Sequence, residues 1–532
     1  MTQSRAAIST ICLLSSALAA SAATITGTVT GPDGKPFLGA FVVAENVKTR
    51  ISVNVITNEQ GRYYIGGLKA GDYRVLINTV GHRADAKSDV KLSADSKESF
   101  DFALQKRPVR WSDLSTYQGR KLLPKTPEHN LSHQDIFFTT CFQSCHSFQK
   151  RMATKVLDEE GWKDRVKYMT DVIMAGDGRK LSAKEVDEYA RHLALLFGPE
   201  SPKPASPEQL PEYKDLVRPI SPRATNLAYV EYDFPAPNGM GPWSAVEDKD
   251  GKMWVAYYGR GNDVLNVDPE TGEWTHHKLP FQRTAGIHSV VPSSNGEVWF
   301  VETALGKIAK LDTKTKEFTE YQNPPLPDGR RTGAHTIRVD DRGLVWVSGG
   351  PAISMFDPKT KEFRHFDVPA TYANTVGLNG DQWFTSFRLD GPIVRITKEG
   401  QLKTFNSPTK GKPQRLELDK DGNVWFSQRQ GNRLGKFDPK TEQFTEYPLP
   451  GPEASPYAIG VDRDGIVWYS SHEQDILGRF DPKTGDVIEY PYMHSEISMR
   501  EFFTDSKGRM WYASSVNNKI GYWYYNETPP AR

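Results

Sequence analysis

Cys141, Cys145 and His146 bring two thiols and an imidazole into six residues, Cys141-Phe142-Gln143-Ser144-Cys145-His146. Side chains at i and i+4 share one helix face. Two thioether bonds could therefore rise from Cys141 and Cys145 to a porphyrin while His146 turns its imidazole to the iron. This is the attachment pattern of c-type haem with three residues between the cysteines in place of two. The alternative is a Cys141 to Cys145 disulfide in an oxidising compartment, with Met169 and Met174 as core filler. A second set of groups stands at fixed offsets from a recurring tryptophan. His288 and His335 lie eleven residues before Trp299 and Trp346, and Glu302 lies three after Trp299. An imidazole and a carboxylate that reach one substrate atom can move a proton.

The elements that must position these groups repeat. Trp254, Trp299, Trp346, Trp383, Trp425, Trp468 and Trp511 recur at intervals of 45, 47, 37, 42, 43 and 43 residues, the period of a propeller or solenoid. Runs such as Glu297-Val298-Trp299-Phe300 alternate polar and apolar, as half-buried strands do. Each repeat carries one hairpin turn of the Asp-x-x-Gly or Asn-Gly kind and a second of the Asp-Pro-x-Thr kind, as at Asp438 to Thr441. Two turns per repeat give four antiparallel strands, a propeller blade. The seventh repeat ends before its fourth strand, and Tyr229 to Pro235 copies the fourth-strand wording of Phe444 to Pro448. That segment is expected to close the ring and leave no free sheet edge.

The first strand of a blade lines the channel, so the residue that opens it sits at the channel mouth. These positions read Trp243, His288, His335, Gln414, Tyr457 and Arg500, with Asn374 in the shortened fourth repeat. Three residues after the tryptophans stand Tyr257, Glu302, Gly349, Ser386, Gln428, Ser471 and Ser514, with Tyr258, Arg429 and His472 one further on. His288, His335 and Glu302 are the candidate acid and base groups. Arg429, His472, Arg500, Gln414 and Tyr457 are candidate binders of an anionic or carbonyl group.

The net charge of +1 on 532 residues, with basic and acidic residues interspersed, gives no basic groove for nucleic acid. Residues 1–22 carry Arg5, an apolar stretch from Ala6 to Ala20 and Ala20-Ser21-Ala22, the shape of a secretory signal. A periplasmic or secreted protein is expected, and no other run is long and apolar enough to span a membrane. Residues 24–105 read as a β-sandwich, 106–135 as an irregular linker, 136–198 as a helical domain with helices over Glu160 to Met174 and Ser182 to Phe197, and 199–227 as a proline-rich, semi-rigid spacer. On this reading the helical domain and the ring at 228–526 are separate bodies. The fold class is mainly β, a seven-bladed propeller preceded by a small sandwich and a short helical domain.

Three resemblances sharpen this reading. The wording GTVTGPDGKPFLGAFVVAENVKTRISVNVITNEQGRYYIGGLKAGDYRVLI resembles the carboxypeptidase regulatory-like domain, a carbohydrate-binding-like sandwich that serves as a spacer or docking unit. Gly161-Trp162, Val166, Met169, Gly176, Gly178 and the Leu181-Ser182 helix start resemble a single-haem cytochrome c. That resemblance implies covalent haem with His146 as proximal ligand and Met169, or else Met174, as distal ligand. The phrases GNVWFSQRQGNRLGKFDP and FTEYPLPGPEASPYAIGVD resemble the streptogramin (virginiamycin B) lyase family of seven-bladed propellers. It implies opening of a cyclic depsipeptide by elimination, histidines on neighbouring blades, and a glutamate fourteen residues after one of them near Mg²⁺; His288 and Glu302 have that spacing, while Gly349 stands at the glutamate position of the His335 repeat. Three functions are thus open: a lyase, a haem redox protein that exchanges electrons with a partner protein, or a binding protein for a small-molecule, cyclic peptide or carbohydrate-like ligand.

Overall fold

In the structure, a computed structural model, the repeated tryptophan and the repeated hairpin aspartate are bonded to each other. Trp254 Nε1 donates to Asp248 at 2.7 Å, and the bond recurs from Trp346 to Asp340, Trp425 to Asp419, Trp468 to Asp462 and Trp511 to Asp505. The other carboxylate oxygen caps the turn, as where Asp462 accepts from the backbone of Asp464 and Ile466 at 3.0 Å. One aspartate therefore ties a tight turn to a buried indole, and a charged acceptor makes each bond worth about 1.5–3 kcal/mol. The description covers residues 22–124, 149–173, 181–235, 241–258, 263–280 and 286–526. Residues 1–21 of the expected signal segment, Cys141, Cys145, His146, Met174, Gly176 and Gly178 lie outside it.

Seven four-stranded blades follow, and their innermost strands touch in sequence from the first blade round to the seventh and back. The short 37-residue interval has a simple cause. Strand Glu362–Val376 runs unbroken from blade three into blade four: its first half pairs with Gly350–Asp357 and its second half with Gln382–Ser386. The chain drops a turn there, not a strand.

The expected closing strand forms. Leu227–Asp233 pairs antiparallel with Lys519–Tyr525, from Leu227 opposite Tyr525 to Asp233 opposite Lys519. Its outer edge is occupied as well, because Ala228 to Tyr232 pair with Val55 to Ile51 of the sandwich. Arg50 reaches Asp233 at 3.0 Å, and Asn54 Nδ2 donates to the Tyr229 carbonyl at 3.0 Å. Blade seven and one sheet of the sandwich are thus a single eight-stranded sheet. The other sandwich sheet centres on Ala23–Thr30 and Arg62–Leu68, and Ile25, Val29, Val42, Tyr63, Ile65 and Val75 fill the space between the two. The sandwich is an extension of the ring and not a free-standing spacer.

The helical unit also departs from the expected boundaries. Helices Glu159–Tyr168 and Ala183–Phe197 pack together, and Met169–Ile173 extends the first as a π turn. Their core includes Trp111, Leu114, Leu122 and Leu123 from the presumed linker 106–135, of which Thr116–Leu122 is a helix capped by Ser115. Short amphipathic pieces between prolines and polar residues give too weak a period to be seen in sequence. The unit is not a separate body. Gln149 donates to Asp475, Lys150 reaches Asn517, Arg120 pairs with Glu453, and the Tyr117 N–H donates to the Glu473 carbonyl at 2.8 Å. The proline-rich stretch packs on blade six through Arg218 with Glu489 and Arg223 with Asp486. Proline content reports stiffness and says nothing about contacts. Among the described residues, no helix is long and apolar enough to cross a membrane.

Candidate functional site at the propeller mouth

A bulge recurs where the first strand of a blade meets the second: register shifts fall between Pro242 and Ala245, Ile287 and Val290, Thr371 and Asn374, Pro413 and Leu416, Pro456 and Ile459, and Met499 and Phe502. A bulge re-aims a side chain out of the pleat. In these six blades the residue eleven before the tryptophan sits in the bulge, in blade three His335 directly precedes the first strand, and the seven side chains meet across the channel. Trp243 lies 5.3 Å from His288, His288 3.7 Å from His335, and His335 4.2 Å from Tyr372, centroid to centroid. Gln414 Nε2 donates to the Tyr372 hydroxyl at 3.2 Å, the Tyr372 and Tyr457 hydroxyls bond to each other, Arg500 donates to Tyr457 at 3.1 Å, and Arg500 lies 4.4 Å over Trp243. The ring is closed.

The fourth-blade position is therefore Tyr372 and not Asn374, whose Nδ2 donates instead to the Trp346 carbonyl at 3.2 Å. Because Glu362–Val376 is one continuous strand, the eleven-residue offset from Trp383 survives although the repeat is short. The same count applied evenly finds Tyr372. Arg415 was also missed: it stands one residue past Gln414 in the bulge, lies 5.3 Å over the Tyr372 ring and pairs with Glu501 at 3.4 Å.

Arg429 is buried, stands 5.0 Å over Tyr457, and donates to Ser455 and Gln414. His472 stacks on Tyr457 at 4.5 Å and donates from Nε2 to the Met499 carbonyl at 2.8 Å. Thus Arg429, His472, Arg500, Gln414 and Tyr457 form one cluster with Tyr372 and, through it, with His335. Gly349 is explained by the same crowding: at φ +126° a Cβ there would sit 2.8 Å from the His335 Cβ. Glu302 is fully buried and pairs in register with Ile287, so its side chain shares the Ile287 face of blade two, where Trp243, Phe300 and Tyr258 pack. His288, the next residue, turns from the bulge toward His335 and also touches Trp243 and Tyr258.

Burial first holds the His288 and His335 imidazoles well below their usual range, followed for His288 by His335 and then the guanidiniums of Arg415 and Arg500, and for His335 by the same two guanidiniums. His472 is lowered by burial and by Arg500 and Arg429. All three rings are neutral at pH 7. Burial opposes the Glu501 charge, but Arg415 and Arg338 outweigh it and keep the carboxyl below its usual range. Among the described residues no three His, Cys, Asp or Glu side chains gather around one point. Mg²⁺ takes oxygen ligands in octahedral array, usually with carboxylates among them, and among the described residues the mouth gathers no such set around one point, so they do not fit the expected ion. Met169 is half-buried at the start of the π turn.

Residues 358–527 match the model of the Virginiamycin B lyase family, and residues 24–105 match that of the Carboxypeptidase regulatory-like domain. A virginiamycin B lyase of Nocardia farcinica (strain IFM 10152) is 26% identical over 222 residues, 41% of this chain and 73% of that one. A solved streptogramin B lyase is 26% identical with a TM-score of 0.51, over 57% of this chain and 99% of its own. Selenomethionine-substituted virginiamycin B lyase of Staphylococcus aureus is 25% identical with a TM-score of 0.50, over 56% of this chain and 99% of its own. The propeller is thus virginiamycin B lyase-like in sequence and fold, and the sandwich joined to its last blade is a carboxypeptidase regulatory-like domain.

Proposed function

We propose that the propeller is a lyase that opens an ester-linked cyclic peptide, or a related carbonyl compound, by elimination. The observation that carries this reading is the neutral pair His288 and His335, 3.7 Å apart beside buried guanidiniums. A carbonyl oxygen only accepts, so the Nδ1 of His335, 3.0 Å from the Tyr372 carbonyl, holds the ring proton and leaves the Nε2 lone pair as base. That nitrogen takes a hydrogen from the carbon next to a carbonyl. The electron pair left behind forms a C=C bond as the ester C–O bond breaks, and the carboxylate departs. Arg500 and Arg429 supply fixed positive charge for the oxygen on which negative charge develops. His288 packs against His335 and keeps its ring in place. Glu302 anchors the blade-two wall of the mouth. No step requires a metal.

Mass spectrometry of a streptogramin B incubated with the full chain tests this. Elimination yields a linear product of unchanged mass with a new double bond, whereas hydrolysis adds one water. An added water, or no ring opening, would refute the lyase.

A second reading, haem c on Cys141 and Cys145 with His146 and Met169 as axial ligands, is favoured by one observation: Met169 stands where the helix passes from α to π geometry, a break often found at functional sites. Haem would supply one-electron chemistry to a propeller-bound substrate or a redox partner. Protein made in a haem-attaching host should show a low-spin c-type spectrum that His146→Ala abolishes. A colourless protein would overturn it.

A further inference from the structure

Three other buried tyrosines of this protein give their proton to a backbone carbonyl. Tyr63 donates to Phe100 at 2.8 Å, Tyr229 to Pro491 at 3.0 Å and Tyr232 to Pro269 at 2.8 Å. Tyr372 and Tyr457 have no such acceptor. Their hydroxyls bond to each other, and among the described residues the other side chains that bond to the two oxygens, Gln414 and Arg500, are donors. Arg500 Nη1 points at the Tyr457 oxygen from 3.1 Å. Gln414 Nε2 points at the Tyr372 oxygen from 3.2 Å; its amide cannot be turned round, because Gln414 Oε1 accepts from Arg429 Nη1 at 3.4 Å and a guanidinium only donates. Only one proton fits between two oxygens. Two neutral phenols carry two protons, and the second would face the N–H groups of Gln414 or Arg500.

We infer that Tyr372 and Tyr457 share a single proton, Tyr457 standing as a phenolate and Tyr372 donating to it, and that this pair is a second proton-accepting centre of the mouth, suited to an acidic hydrogen beside a carbonyl. The surroundings agree. Burial alone would raise both phenols, yet Arg500, Arg415 and Arg429 together pull Tyr457 below its usual range while Tyr372 is pushed far up, the opposite shifts of two groups that hold one proton between them. Arg429 and Arg500 lie 5.0 and 5.1 Å over the Tyr457 ring and His472 stacks on it; His335 covers Tyr372, and Glu501 stands behind Arg415. Tyr457 has no exposed surface, whereas Tyr372 is half-buried, so a ligand would reach Tyr372 first.

The step is balanced within the pair. The ligand C–H bond breaks, its proton forms O–H on Tyr372, the proton formerly on Tyr372 passes to Tyr457, and the electron pair stays on the ligand and spreads onto its carbonyl oxygen. A phenolate is a stronger base than an imidazole depressed below its ordinary pKa, so a proton taken at the mouth comes to rest here. The catalytic half of this inference rests on the elimination reading; the ionised pair stands without it.

Near-ultraviolet spectroscopy of the full chain without ligand tests the ionisation. At neutral pH the difference between wild type and Tyr457→Phe should show the band of one tyrosinate, and Tyr372→Phe should keep that band. If Tyr457→Phe fails to fold, titration of wild type alone decides: one tyrosine must ionise well below the ordinary value of about 10. No band, or no such titration, overturns the ionised pair whether or not the protein is a lyase. Where ring opening is measurable, Tyr457→Phe should lower kcat about 10²-fold with KM little changed. A band with unchanged kcat overturns the catalytic role alone. A band with no ring opening in wild type refutes the lyase, and the catalytic role with it, while the ionised pair stands.

Discussion

Gln149 Nε2 donates to Asp475 Oδ2 at 3.0 Å, and this bond fastens the helical unit to the loop that follows the second strand of blade six. Asp475 also accepts from the backbone N–H groups of Glu496 and Ile497, so one half-buried carboxyl group holds three donors. Asp475→Ala orphans all three and should weaken docking by about 1–3 kcal/mol. Limited proteolysis of the full chain should then cut 149–173 faster while the propeller stays resistant. Unchanged protection of that segment would show that docking does not run through Asp475.

For His335 the pH dependence has a definite sign. Its pKa lies below the ordinary value of about 6.5, so the neutral, basic form persists as pH falls through that value. The acid limb of kcat/KM should therefore lie below pH ~6.5, and His335→Ala should lower kcat by about 10²- to 10⁴-fold. Stability moves the same way: the unfolded chain takes up protons at His288, His335 and His472 that the folded protein refuses, so melting temperature should drop as pH falls below ~6.5. A flat profile across that window contradicts the burial argument.

Glu231, on the closing strand, answers to a lower window. It is fully buried and accepts from Tyr492 at 2.8 Å, Tyr512 at 2.9 Å and His494 at 2.8 Å. Burial opposes its charge, but His494, Lys519 and the hydroxyl bonds outweigh that and hold it down to about 2. Its folded pKa is depressed, so its stabilisation is complete above the unfolded value of ~4.3 and fades as pH falls toward 2. Glu231→Leu leaves two buried hydroxyls and a histidine without their acceptor and should cost about 3 kcal/mol at neutral pH. Calorimetry of the variant at neutral and acid pH checks both, since the difference from wild type should shrink in acid.

Removal of residues 24–105 should harm the ring itself. The cut strips Ile51–Ile56 from Leu227–Asp233 and exposes a strand edge that invites pairing with other chains. A lower melting temperature and concentration-dependent association in sedimentation are expected. A deletion variant that melts like wild type and stays monomeric would show that the shared ladder contributes nothing.

Much of this was legible because it is local and periodic. The tryptophan beat, the hairpin turns and the closing strand follow from spacing, and five of the seven mouth residues, with Trp243 the sixth, follow from counting. Tyr372 escaped because a strand shared by two blades shortens the period without touching the offset that matters. Arg415 escaped because a bulge breaks the strict alternation by which facing is read. The joining of the sandwich to blade seven, and Gln149 to Asp475, depend on residues 170 to 330 positions apart whose types carry no local pattern. Sequence gave Glu302 the right spacing from His288 but could not tell which face of the blade it takes.

The shared eight-stranded sheet also sets an order of events during synthesis. A ribosome delivers Ile51–Ile56 and then Leu227–Asp233 long before Lys519–Tyr525, the last strand of the ring. The closing strand can dock on the sandwich as soon as it emerges, and waits there with one edge satisfied while six blades are made. The N-terminal domain thus acts as a holder within the same chain, shielding a strand that would otherwise stay bare through the slow, long-range step of closure.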